Sequence, residues 1–271
     1  MPLSAPSRLL LLGAAAALAP GAARAQERAP EPPRERAADR ELPFAVGERA
    51  SYAVHFGPLR VGSGAMEVVG LDTLRGEETL RIRFTVKGGT FFYRVDDVME
   101  SWLEPRTLRS LRFTQELNEG RRHYVRRFDF FADTRTFLQE GKQPQPSVAE
   151  PLDEASFFYF VRTQSLAVGQ SYEYDRYFRP ASNPVRLRVL RRERVKVPAG
   201  TFDALVVQPV IRTSGIFSEG GKAELWISDD SSHVVLQLKS QLSFGSLNLY
   251  LEKYEPGGDK PPAAVVSRGA T

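Results

Sequence analysis

Hydrophobic and polar positions alternate through most of this chain with a period of two. From Thr79 to Lys87, Leu80, Ile82, Phe84 and Val86 alternate with Arg81, Arg83, Thr85 and Lys87, which predicts a strand with one face on a core and one in water. The same rhythm recurs in Ala50, Tyr52, Val54 and Phe56, and in Val185, Leu187 and Val189 set against Arg186 and Arg188. Further strands are predicted over Leu108 to Leu117, Arg122 to Phe130, Ser171 to Phe178, Phe202 to Val207, Ala223 to Ile227, Val234 to Leu242 and Ser246 to Tyr254. Gly57-Pro58, Gly88-Gly89, Asn118-Glu119-Gly120, Pro198-Ala199-Gly200, Gly220-Gly221 and Asp229-Asp230 supply the turns between them. Strands joined this tightly predict an all-β fold: an antiparallel curved sheet or barrel-like sandwich.

One segment departs from the two-residue rhythm. From Ala155 to Gln164 the apolar residues Phe157, Phe158, Phe160 and Val161 fall at helical spacing, and Asp153 is placed to cap the N-terminus. This predicts one short helix, its aromatic face plugging the sheet, between two halves of the chain. The halves open alike, with Ala45-Val46-Gly47-Glu48 in one and Ala167-Val168-Gly169-Gln170 in the other. A duplication would explain this, and so would a common way of entering a strand; on four residues coincidence is the preferred reading.

The ends change the picture of where the protein works. A basic start at Arg8, an apolar run from Leu9 to Ala19 and the small-x-small site Ala23-Arg24-Ala25 predict a cleavable export signal over residues 1–25, cut after Ala25. The expected location is periplasmic or otherwise exported. Residues 26–42 are rich in Pro, Arg and Glu and predict a disordered linker, and residues 256–271 a disordered tail. A single folded domain is expected over residues 43–255. After cleavage the chain is not expected to be an integral membrane protein. A transmembrane β-barrel would also suit alternating strands, but the internal helix, the polar tail and the absence of long loops speak against it.

Composition narrows the chemistry. The chain has no cysteine, which removes disulfides, thiolate nucleophiles, sulfur metal ligands and a lipid-anchored terminus. The formal charge of +4 falls to +2 without Arg8 and Arg24, too weak and too dispersed to predict a nucleic-acid partner.

These residues, in order, resemble the family of exported bacterial proteins DUF3108. The matching elements are Val46-Gly47-Glu48 with Tyr52, Val61-Gly62-Ser63-Gly64, Phe92-Tyr93-Arg94-Val95-Asp96-Asp97 and Ser156 to Arg162, followed by Ala167-Val168-Gly169, Val197-Pro198-Ala199-Gly200-Thr201-Phe202 and Leu225-Trp226-Ile227-Ser228-Asp229-Asp230. The resemblance implies one β-rich periplasmic domain and supplies no catalytic residue.

The candidate sites are weak. His55, His123 and His233 stand far apart in sequence without ligand spacing, so no metal site is predicted, and no cofactor. Gly62-Ser63-Gly64 lies inside a strand pattern rather than at a nucleophile elbow. Asp96-Asp97 should point to opposite faces, and Asp229-Asp230 should form a turn. Arg121-Arg122, Arg126-Arg127 and Arg191-Arg192 with Arg194 could form a cationic patch for anionic headgroups, though charges on wet strand faces usually serve solubility. The aromatic residues Phe91, Phe92, Tyr93, Trp102, Phe157 to Phe160, Tyr172, Tyr174, Tyr177 and Phe178 either fill the core or leave an apolar pocket. No catalytic residue is predicted and a non-enzymatic role is expected. Phe157, Phe158, Phe160 and Trp102 are the expected lining of a site for a lipid or other amphiphilic envelope ligand. An envelope protein partner, in an assembly or scaffolding role, is the alternative.

Overall fold

A computed structural model describes residues 41–90, 93–211, 223–242 and 245–258. The export signal, most of the linker, Phe91 and Phe92, the Gly220-Gly221 turn and the tail beyond residue 258 lie outside the described residues. The strands are β1 (Arg49–Phe56), β2 (Leu59–Leu74), β3 (Glu77–Thr90), β4 (Tyr93–Leu103), β5 (Ser110–Glu119), β6 (Arg122–Phe131), β7 (Thr136–Gln139) and β8 (Gln145–Pro146). After the helix α1 (Ser156–Arg162) come β9 (Ser171–Tyr174), β10 (Val185–Val197), β11 (Gly200–Val210), β12 (Glu224–Ser228), β13 (Val235–Leu242) and β14 (Gly245–Glu255).

All of them join one antiparallel sheet in the order β8-β7-β6-β5-β4-β3-β2-β1-β14-β13-β12-β11-β10-β9. Each half is a meander of hairpins, and β1 meets β14 in the middle, Tyr52 opposite Leu251. The ladder does not close on itself. Its edges β8 and β9 are linked by the chain around α1: Leu152 bridges Tyr177, and the Ser147 hydroxyl donates to the Phe178 carbonyl at 3.0 Å. Phe178 then packs within 5.0–5.6 Å of Phe128, Phe130 and Phe137, so the first half curls until β6 and β7 meet the segment after β9.

The helix is shorter than its sequence predicts, because Thr163 and Gln164 already bond three residues back, to the carbonyls of Phe160 and Val161. Its start is as expected. The Asp153 carboxylate accepts from the backbone of Ala155 and Ser156, while the Asp153 N–H donates to the Ser156 hydroxyl at 2.8 Å, a reciprocal cap. Every residue of α1 is buried, with Phe158 stacked on Phe84 of β3 and Phe160 edge-on to Tyr174 of β9.

Other boundaries shift for local reasons. The strand predicted from Leu108 begins at Ser110, because Leu108 turns the chain at φ 58°. The strand predicted from Ser171 to Phe178 ends at Tyr174, where the chain leaves β10 to pair with Leu152. Gly62 faces Gly88 across β2 and β3, and a Cβ on Gly62 would lie 2.2 Å from the Lys87 carbonyl oxygen. That motif is a place where two backbones touch.

The resemblance between the two openings is not coincidence, because it extends through both halves. Gly47 and Gly169 have φ of 87° and 83°, and their N–H groups donate to Val68 and Val189 on the next strand. Directly after Val68 and after Val189 the register slips by a bulge. Trp102 of β4 donates to Asp72, and Trp226 of β12 donates to Glu193. A second slip follows each tryptophan, and Leu108 and His233 make the next left-handed turns. The β1–β6 and β9–β14 meanders are one unit built twice.

Candidate functional site

Three groups of residues lie inside or against this frame. The first is built where the opening of β1 meets the end of α1. Gly47 turns the chain so that Glu48 points inward, and Arg162 is the last residue of the helix. Their side chains are only 2% and 3% exposed and form a bidentate ion pair at 2.5 and 2.9 Å. Tyr254 of β14 donates to the same carboxylate at 2.9 Å, and Arg162 Nε donates to the Ser232 carbonyl. The guanidinium also lies over the rings of Phe44 and Tyr159. Burial drives the Tyr159 and Tyr52 phenols far above their ordinary range. This centre ties the first strand, the helix, the β12–β13 turn and the last strand together.

A cleft of about 380 Å³ adjoins it, lined by Glu41, Arg162, Thr163, Gln164, Ser232 and His233 among others. His233 donates Nδ1–H to the Arg162 carbonyl at 2.9 Å.

The second group surrounds Asp153. Besides its two backbone donors, this buried carboxylate accepts from the hydroxyls of Ser101 on β4 and Ser110 on β5. Burial pushes its pKa up against the pull of these donated bonds. It faces no cation in that set, and it pins the start of α1 to the first half.

The third group is a row across the inner face of the first half. Pairing runs Met66–Phe84–Met99–Gln115–Arg126, through β2, β3, β4, β5 and β6. Met66 is buried, and Arg126 is exposed.

The residues predicted as a lining are not brought together. Phe157, Phe158 and Phe160 are packed into the core on α1. Trp102 lies on the outer face, because its neighbours Ser101 and Leu103 point inward; it donates to Asp72 under the Arg81 guanidinium. The outer-face carboxyls that receive the two indoles are both held below their usual range, Asp72 first by Trp102 and Glu193 first by Arg191.

The histidines stay apart. His55 stands edge-on to Tyr250, His123 contacts Asn118, and His233 sits at the cleft. Among the described residues, no group of three His, Asp or Glu side chains is placed to hold a metal ion. Asp96 pairs with Lys87 at 3.2 Å while Asp97 accepts the Asn118 N–H, in keeping with opposite faces. Asp230 closes the β12–β13 turn by accepting from Ser228, Ser232 and His233. Among the described residues no helix is long and apolar enough to cross a membrane.

These features define a β-barrel-like protein: a curved antiparallel sheet of two repeats wrapped around one short helix. A solved beta-barrel-like protein of the domain of unknown function DUF1849 from Brucella abortus shares that fold, with a TM-score of 0.51 at 9% identity over 79% of this chain and 99% of that one. A hypothetical protein from Chlamydia trachomatis aligns with 83% of this chain and 94% of its own, at 9% identity and a TM-score of 0.37. The chain itself belongs to DUF3108, a family of proteins of unknown function, which matches residues 51–252. No curated protein matches it.

Two separated pieces of the family resemblance, Val46-Gly47-Glu48 and Ser156 to Arg162, meet in the buried Glu48–Arg162 pair. Sequence reading missed that meeting, since 114 residues separate the partners. It also missed Arg126 as an inner-face residue, although strand parity carried the signal: Phe128 and Phe130 point inward, and Arg126 shares their register.

Proposed function

We propose that this chain is an exported, non-catalytic protein that holds the apolar part of an amphiphile against the inner face of its first half. One observation carries the reading. Along β3, Leu80 and Ile82 are buried, whereas Phe84 and Val86 on the same face are only partly buried, as is Met99 beside Phe84. Phe158 stacks on Phe84, so the open stretch begins where α1 stops filling the interior. Apolar side chains on a concave face next to a packed core form a surface that gains from an apolar guest. The export half of the reading is supported by Arg8, the apolar run Leu9 to Ala19 and the Ala23-Arg24-Ala25 site.

Titration of the exported protein with the neutral probe N-phenyl-1-naphthylamine tests it. Saturable fluorescence enhancement, competed away by dodecanol and weakened in Phe84→Ser, is the expected result. Absence of saturable binding, together with native mass spectra that show only empty protein after detergent-free purification, overturns it.

A further inference from the structure

Resting on that reading, we infer that the guest is an alkyl carboxylate and that Arg126 receives its headgroup. Four observations converge on this residue.

The first is its direction. Tyr124, Arg126, Phe128 and Phe130 share one face of β6, and the two phenylalanines are buried in the core. Arg126 therefore shares the inner face with the core phenylalanines while standing at its solvent-exposed end.

The second is its partnership. The neighbouring outer-face arginines Arg75, Arg112 and Arg127 all converge on Asp129, at 3.2, 2.8 and 3.1 Å. Arg126 makes no ion pair among the described residues; its guanidinium lies 5.3 Å from the centre of the Tyr124 ring. A ring beneath a guanidinium orients its plane and leaves its N–H edge available.

The third is the repeat. Phe128 and Leu249 occupy equivalent places, opposite Phe113 and Leu238, so Arg126 opposite Gln115 corresponds to Leu247 opposite Ser240. The same unit is built with leucine at this point, so the fold does not require the cation.

The fourth is the path between head and tail. Arg126, Gln115, Met99 and Phe84 are successive partners across the sheet, with the Gln115 amide 4.0 Å from the Met99 sulfur. Three inter-strand steps span about 14 Å. A medium-length alkyl chain laid across the strands reaches from the guanidinium to the apolar patch. The planar fork of arginine matches a carboxylate, and the Gln115 amide can donate beside it.

The test compares dodecanoate with dodecanol, below micelle formation, as competitors of N-phenyl-1-naphthylamine on the exported protein. Dodecanoate should bind about tenfold tighter or more, the scale of charge-assisted hydrogen bonding. Arg126→Gln should abolish that preference while leaving dodecanol affinity unchanged, and raised salt should weaken dodecanoate alone. Arg127→Gln, on the outer face, should change neither. Equal affinity for the two competitors, or equal losses in Arg126→Gln, overturns the assignment while leaving the apolar site standing. Failure of the probe and both competitors to bind overturns both.

Discussion

The Glu48–Arg162 pair is the most exacting test of how this fold is held together. Glu48→Gln keeps the volume of the side chain and one carbonyl acceptor for Tyr254 or Arg162, but removes the charge. Arg162 is then a guanidinium sealed from water with only the Ser232 carbonyl, the remaining amide oxygen and two ring faces around it. Breaking a buried pair from one side costs about 3–5 kcal/mol, because the surviving charge is left uncompensated. Arg162→Met should cost a similar amount by stranding the carboxylate. With both substitutions neither charge remains, so the double variant should recover about 2 kcal/mol or more relative to the sum of the single losses. Urea unfolding followed by tryptophan fluorescence, with Trp102 and Trp226 one in each repeat, measures all four corners of the cycle. A loss below about 1 kcal/mol in Glu48→Gln, or additivity within about 0.5 kcal/mol, would refute the view that the pair is closed from water and mutually dependent.

Other expectations are more local. Asp153 has a folded pKa above its unfolded value, so the folded state binds the proton more tightly; its stabilising effect is full below about pH 4 and is lost as pH rises toward the folded value. The stability of wild type minus that of Asp153→Asn should therefore fall with rising pH in that window, and a rise would contradict the assignment. Among the described residues the buried Tyr159 hydroxyl has no hydrogen-bond partner, whereas Tyr52 donates to the Val235 carbonyl at 2.9 Å. Tyr159→Phe should be neutral or stabilise by about 1 kcal/mol, and Tyr52→Phe should destabilise by about that amount; thermal melts with matching signs for both would count against the geometry. Gly62→Ala should cost about 1–3 kcal/mol, since the added methyl meets backbone that cannot rotate away. Unchanged stability in that variant would mean that β2 and β3 are further apart at this point.

The sequence made the strands legible wherever one face is wet and the other dry. β3 and β10 are clear because arginines mark the outer positions. β7 and β8 are too short to show a period, and β4 carries Asp96-Asp97 and Ser101 among its apolar residues. Asp153 was legible as a cap from its place before an aromatic run, but its two serine donors lie on other strands. The repeat was hidden by drift. Equivalent residues are 121 apart at Val68 and Val189 but 125 apart at Leu108 and His233, because turns and bulges absorb the extra residues. A fixed period therefore finds only fragments. The placing of the expected aromatic lining was illegible for another reason: Trp102 could be assigned a face only once its strand was known.

The meeting of β1 with β14 sets an order on the making of this molecule. Arg49 and Glu255 are partners from nearly opposite ends of the described chain. β1 can pair early with β2, its neighbour in sequence, but its other edge stays open until almost all of the chain has been synthesised. Contacts of that separation slow folding, and an unpaired strand edge invites wrong partners while it waits. Pairing of β14 with β1 is the event that ends that exposure.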